Sequence, residues 1–242
     1  MISKRYNLIF TIVIFCATLF SSCLSVDRNI IINKDGSGSE TMTISFDKIF
    51  YETMSSMTFL MDSNRVQGFL DSLYSDEVFV NETREKFESR PGINLLDIYS
   101  HKNEDLSNSF IVKYEFDSIK KIGSTVLSKF EQNNNPDSVS KDDSDTEIIF
   151  TREGENVLFS YNYLKEGAEG EINPDDSLAN EVNKGMADMF KDGNITIEIN
   201  FPYDVISSNA DSTVGNTLKW MYSLSKTISK GEMKLEAVMK GE

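Results

Sequence analysis

Apolar and polar residues alternate near both ends of this chain and fall three and four apart in stretches between them. Over residues 26–46 the alternation marks two strands. Ile30 and Ile32 share phase before a polar stretch, and Met42, Ile44 and Phe46 share phase after it. Residues 47–61 switch to helical spacing, with Phe50, Met54, Met57 and Met61 on one face. Asp62 or Ser63 caps a second helix that carries Val66, Phe69, Leu70, Leu73 and Tyr74. Residues 81–92 predict a short polar helix stopped by Pro91. Residues 93–100 and 109–116 predict a strand pair, and 117–130 a weaker helix interrupted by Gly123 and Thr125. Residues 131–145 hold almost no apolar side chain and predict a mobile polar loop. Beyond it come a hairpin over 147–163, a helix starting at Asp176 or Ser177 and ending at Gly193, and three strands over 195–201, 217–223 and 232–239. No repeat period is visible. Hairpins interleaved with amphipathic helices predict an α+β fold. Its antiparallel sheet is built from hairpins, the helices pack on one face, and the polar loop separates two halves that share the sheet.

The glycine-rich turn "NKDGSGS" (33–39) is the first place to look for a ligand. An EF-hand loop with its glycine at Gly36 would begin at Ile31 and end at Met42, and neither binds calcium. A dinucleotide fingerprint needs glycine where Thr41 stands, and no Lys-Ser/Thr pair follows for a phosphate loop. The turn therefore reads as a hairpin, with Asp-Gly supplying a positive φ and the second glycine allowing a bulge.

The amino-terminal end has a different character. Lys4 and Arg5 precede an unbroken apolar block over residues 8–20, and the small residues Ser21 and Ser22 follow it. That is the layout of a secretory signal peptide, and the block is short of the roughly 20 residues that a membrane span needs. Cys23 comes next. "LFSSC" resembles the lipobox of bacterial lipoproteins, with Phe20 where that family carries an aliphatic residue. The resemblance implies cleavage after residue 22 and a thioether-linked diacylglycerol on Cys23. A signal peptide over 1–22 and an extracytoplasmic domain over 23–242 follow from it. So does attachment to a bacterial envelope membrane on its periplasm-facing side.

Charge and cysteine count sharpen this picture. Loss of Lys4 and Arg5 takes 24 basic residues to 22 against 39 acidic ones, and the net charge from −15 to −17. So acidic a body gains nothing from phosphate backbones or anionic headgroups, which argues against nucleic acid as a partner and leaves membrane affinity to acyl chains. Of the 2 cysteines, Cys16 leaves with the leader and Cys23 takes the lipid, so the mature domain has no disulfide and rests on burial alone.

Two stretches carry a further resemblance. "DRNIIINKDGSGSETMTISF" is similar to the opening hairpin of LppM-like bacterial lipoproteins, and "INFPYDVISSNADSTVGNTLKWMYSL" to their closing segment. Phe201, Pro202, Val205, Ser208, Asn209, Gly215, Asn216 and Trp220 occupy the matching places, and Tyr203 stands where the family has glycine. The resemblance implies an exported, membrane-anchored α+β domain that binds lipid or glycolipid, and it brings no catalytic residues.

The residues themselves point to little chemistry. His101 is the only histidine, too few for a zinc site and placed in what reads as a loop. Asp137, Asp142, Asp143 and Asp145 read as a solvated loop tip rather than a calcium site. Trp220 reads as core. No metal or cofactor is expected beyond the lipid on Cys23. Met54, Met57, Met61, Met186 and Met189 all fall on apolar faces, and their flexible thioether chains suit either core packing or an apolar pocket for an acyl chain. The expected role is a non-enzymatic binding or scaffold domain, whose ligand is a lipid or another envelope protein. The alternatives are an envelope hydrolase working with carboxylates alone, or assembly through strand edges at Val26 or Met239.

Overall fold

The structure, a computed structural model, describes residues 24–61, 64, 66–73, 80–105, 107–122, 146–164, 190–230 and 232–241. The chain opens with strand β1 (Leu24–Ile32), which turns into β2 (Gly38–Phe46). Helices α1 (Lys48–Met61), α2 (Val66–Leu73) and α3 (Glu82–Glu88) follow, then strands β3 (Ile93–Lys102) and β4 (Asn108–Phe116) and a 3-10 turn over Ile119–Lys121. After the 131–145 stretch, which lies outside the described residues, come β5 (Thr146–Glu153) and β6 (Asn156–Leu164). The last elements are β7 (Asn194–Asn200), β8 (Val205–Ser208), β9 (Ser212–Val214), β10 (Thr217–Ser223), α4 (Leu224–Lys230) and β11 (Glu232–Lys240).

The fold mixes helix and strand, and strands dominate. They form two sheets where one was expected. The larger runs β3-β4-β2-β1-β7-β10-β9 and the smaller β5-β6-β11-β8. The hairpin reading holds for β1–β2, β3–β4 and β5–β6, all antiparallel. It does not contain the pairing of β1 with β7, which is parallel and joins the two halves of the chain in the larger sheet. The smaller sheet comes wholly from the second half. The segment after Phe201, expected to be a turn, contributes β8 and β9, short polar strands that only their neighbours define. The helix expected over 117–130 is a single 3-10 turn as far as residue 122, and the helix expected over 176–193 lies outside the described residues up to Phe190. Val26 and Met239 offer no strand edge: β1 lies between β2 and β7, and β11 between β6 and β8. One outer edge of the larger sheet is β3, where a register shift between Leu95 and Asp97 leaves Leu96 bulged and exposed.

One face of the larger sheet forms the core. Leu24, Val26, Ile30 and Ile32 of β1 line up with Met42, Ile44 and Phe46 of β2, with Phe110, Val112 and Phe116 of β4, and with Ile195, Ile197 and Ile199 of β7, all buried. The smaller sheet packs on this face through Phe159, whose ring lies 5.1 Å from that of Phe201. Phe50 of α1 lies 4.7 Å from Phe46, and Phe87 of α3 lies 4.9 Å from Tyr114. Trp220, buried on β10, donates its indole N–H to the Asn209 side chain at 2.7 Å. The Asn209 oxygen also accepts the Glu236 N–H at 2.8 Å, and its amide donates to the Lys234 carbonyl at 2.9 Å. One side chain thus ties the larger sheet to β11 of the smaller.

The glycine-rich turn is built into the fold. Gly36 has φ 83°, and its carbonyl accepts the Ile119 N–H at 2.7 Å. A Cβ at Gly38 would sit 2.0 Å from the Ile31 carbonyl and 2.6 Å from the Phe116 ring, so no larger residue fits without displacing strand backbone. Asp35 accepts the Ser37 N–H at 3.0 Å and the Ser37 hydroxyl at 2.6 Å, while Asn33 donates to that hydroxyl at 3.0 Å. The β3–β4 connection repeats the device: Asp105 accepts the N–H and hydroxyl of Ser107 at 3.0 and 2.7 Å, and Asn103 donates to the hydroxyl at 2.8 Å. The two turns share the pattern Asn-x-Asp-x-Ser and cap opposite ends of the sheet.

Hydrogen bonds from Ser37 and Ser107 hold both aspartates below their ordinary pKa of 3.8. A carboxylate whose folded pKa is depressed adds stability above the unfolded pKa and loses it as pH falls through the folded one. Between pH 5 and strongly acid solution the wild type should therefore lose stability more steeply than Asp35→Ala/Asp105→Ala, as urea unfolding at each pH will show; parallel curves would refute the role. Asn209→Ala should destabilise by about 1–3 kcal/mol, because it leaves the buried indole N–H without its acceptor, and should shift the emission of Trp220, the single tryptophan.

Candidate functional site

Two polar features stand out among the described residues, one inside and one at the surface. The inner one begins with Arg28, which shares the core phase of β1, and Glu40, which shares that of β2. Their register places Arg28 opposite Met42 and Glu40 opposite Ile30, so the two side chains are diagonal neighbours on the buried face. Arg28 grips Glu40 with two bonds, Nε to Oε1 at 2.6 Å and Nη2 to Oε2 at 3.0 Å. Nη2 also donates to the Ile122 carbonyl at 3.1 Å, and the Tyr114 hydroxyl donates to Glu40 from the other side. Burial works against the guanidinium charge, but Glu40 more than offsets it and holds Arg28 protonated well above its ordinary range. Burial, with the Glu40 charge beside it, pushes the Tyr114 hydroxyl well above the usual tyrosine pKa. Arg28 Nε, Arg28 Nη2 and the Tyr114 hydroxyl each have an acceptor, and the side chains of Arg28, Glu40 and Tyr114 are all buried. The network fixes structure; it offers no group free to react.

The surface feature is an open depression of about 530 Å3 at the tip of the β1–β2 hairpin. Its floor is a row on the solvent face of four strands, Ile31, Ser39, Glu115 and Asn94. Asn94 donates to Glu115 at 2.9 Å, Asp117 stands at the rim, and Ile31 is 54% exposed. Two amides, two hydroxyls, two carboxylates and three apolar side chains line it, which suits a small polar ligand without a strong negative charge. Gly92, at φ 78°, lets the chain pass against Asp117, whose carboxylate would lie 2.4 Å from a Cβ there.

Of the expected site residues, the structure describes only some. Cys23 lies outside the described residues, directly before Leu24. Met54 is partly buried on α1 and packs against the core. Met57 and Met61 follow on α1, and Met186 and Met189 lie outside the described residues. His101 is exposed on β3, opposite Ser109. Trp220 is core, as its strand phase predicts. Tyr203 reaches the opening hairpin: its hydroxyl donates to the Lys34 carbonyl at 3.4 Å, and the Lys34 ammonium lies 5.9 Å from its ring centre. Among the described residues no cluster of three His, Cys, Asp or Glu side chains is placed to hold a metal ion. Asn108 is buried with neither polar atom of its side chain hydrogen-bonded, a destabilising feature of about 1–3 kcal/mol.

No family model and no curated protein matches the chain. In structure it is similar to the folded domain of LppM from Mycobacterium tuberculosis, solved by NMR, with a TM-score of 0.42 and 10% identity over 90% of each chain.

The inner network makes a sharp prediction. Glu40→Leu or Arg28→Met alone leaves a buried charge without its partner and should cost about 3–5 kcal/mol, whereas the double change Arg28→Met/Glu40→Leu should recover most of that loss. Urea unfolding of the three variants measures it; additive losses would mean that the two charges do not support each other.

Proposed function

We propose that this chain is a bacterial lipoprotein, fastened to an envelope membrane by diacylglycerol on Cys23, and that its folded part works outside the cytoplasm as a binding or scaffold domain. The observation that carries this reading is a sequence pattern that runs up to the first described residue of the fold. Lys4 and Arg5, the apolar block over 8–20 and the run Ser21-Ser22-Cys23 form an export leader. The central strand begins one residue later, at Leu24, already buried and paired with Phe46. Cleavage before Cys23 leaves every described strand whole.

The remaining properties agree. No helix of the described residues is long and apolar enough to cross a membrane. A body with 39 acidic residues has no general attraction for anionic headgroups, so acyl chains must supply the hold, and two or more are needed for a stable one. The ligand side of the proposal is a lipid or glycolipid, taken up by an apolar pocket to which Met54, Met57, Met61, Met186 and Met189 contribute, since all five fall on apolar faces of the helical spacing in the sequence.

Metabolic labelling with an alkyne fatty acid tests the anchor. The wild type should incorporate label and partition into detergent, and Cys23→Ala should do neither. Equal labelling of the two chains, or a native product that starts elsewhere than Cys23, overturns the reading.

A further inference from the structure

A lipid anchor normally works through a stretch of flexible chain, and this fold leaves no room for one. Leu24 is 1% exposed and paired with Phe46, and Ser25 already pairs with Asn194 of β7. The Leu24 carbonyl lies 3.0 Å from where a Cβ of Gly193 would be, so the start of the strand is closed in from that side as well. Cys23 is bonded to this residue, and consecutive Cα atoms are only about 3.8 Å apart. Acyl chains on Cys23 must therefore leave the domain at one place, the end of the larger sheet where Leu24, Phe46, Asn108 and Lys102 stand in a row.

We infer that this end of the sheet is a membrane-contact surface and that the domain stands on the bilayer in a fixed orientation, with the β1–β2 tip pointing away. The inference rests on the lipid reading and adds to it the face that meets the lipid. Two further observations favour the same surface. Ile49, at the start of α1 just beyond Phe46, is 43% exposed and offers an apolar side chain to the headgroup layer. Among the described residues, Lys48, Lys102, Lys191 and Lys226 stand beside Asp47, Glu104, Asp105 and Asp192 at this end. Charges of both signs are mixed here, so this end repels anionic headgroups less than a face of net negative charge would. The nine residues of β1 then hold the depression lined by Ile31, Asn94 and Glu115 roughly 25 Å above the membrane surface, at about 3.3 Å per residue, facing solvent and not lipid.

The full chain, expressed with its leader and purified as the acylated product, tests this in phosphatidylglycerol-containing vesicles. Cys16 leaves with the leader and Cys23 is blocked by its lipid, so Ile49→Cys and Lys34→Cys each present one thiol for a fluorophore. Nitroxide-labelled lipids should quench the label at position 49 several-fold more strongly than the label at 34, with circular dichroism unchanged in both. Equal quenching at the two positions, stronger quenching at 34, or none at either on a product that mass spectrometry shows to be diacylated overturns the orientation and leaves the anchor standing. A product without diacylglycerol overturns the anchor, and the orientation with it.

Discussion

A guanidinium shut off from water needs a carboxylate at hand, and the place of Arg28 on the central strand makes that need a constraint on the whole sheet. Glu40 meets it only while β1 and β2 keep their register. Tyr114 reaches Glu40 only while β2 and β4 keep theirs, and the Ile122 carbonyl reaches Arg28 only after the chain has passed along the sheet and turned back over it. A slip of one residue by β1 or β2 would turn that strand's charge and its apolar side chains to solvent and leave the other charge buried alone. The burial of Val26, Ile30, Ile44 and Val112 provides the driving force for closing the sheet. The ion pair selects which closed arrangement forms, because wrong ones leave a buried charge without a partner.

The same network sits where the cover of the core changes from one kind to another. Tyr161 of β6 is close enough to influence Arg28, whereas Phe87 of α3 stacks beside Tyr114. The polar chain thus bridges the part of the face roofed by strands and a part met by helix. Asn209 performs a comparable service farther along, linking Trp220 to the backbone of β11. The closing-segment residues Asn209 and Trp220 meet each other, and Tyr203 meets the opening turn, so the stretches that stand out in the sequence hold the fold together.

Much of this was legible from side-chain phase. Every long strand except the start of β1 follows a visible alternation, and the hairpins follow from short polar turns. The ion pair also left a trace. Arg28 is in step with Leu24, Val26, Ile30 and Ile32, and Glu40 with Met42, Ile44 and Phe46, although a charged residue is commonly assigned to the solvent face. What alternation does not carry is partnership between distant segments. Nothing in β1 or β7 alone specifies their parallel pairing, nor that β8, too short and polar to show a phase, completes the second sheet. The two Asn-x-Asp-x-Ser turns escape a search for repeats because each occurs once, 70 residues apart. The depression at the hairpin tip combines residues from four strands, so no local motif announces it.

The bulge at Leu96 bears on how two copies of the domain would meet side by side. An uninterrupted outer strand would give each such encounter a ladder to extend. On β3 that ladder is broken in its middle, where Leu96 stands out of line between Leu95 and Asp97. This flank is therefore a poorer template for strand addition than a straight edge would be.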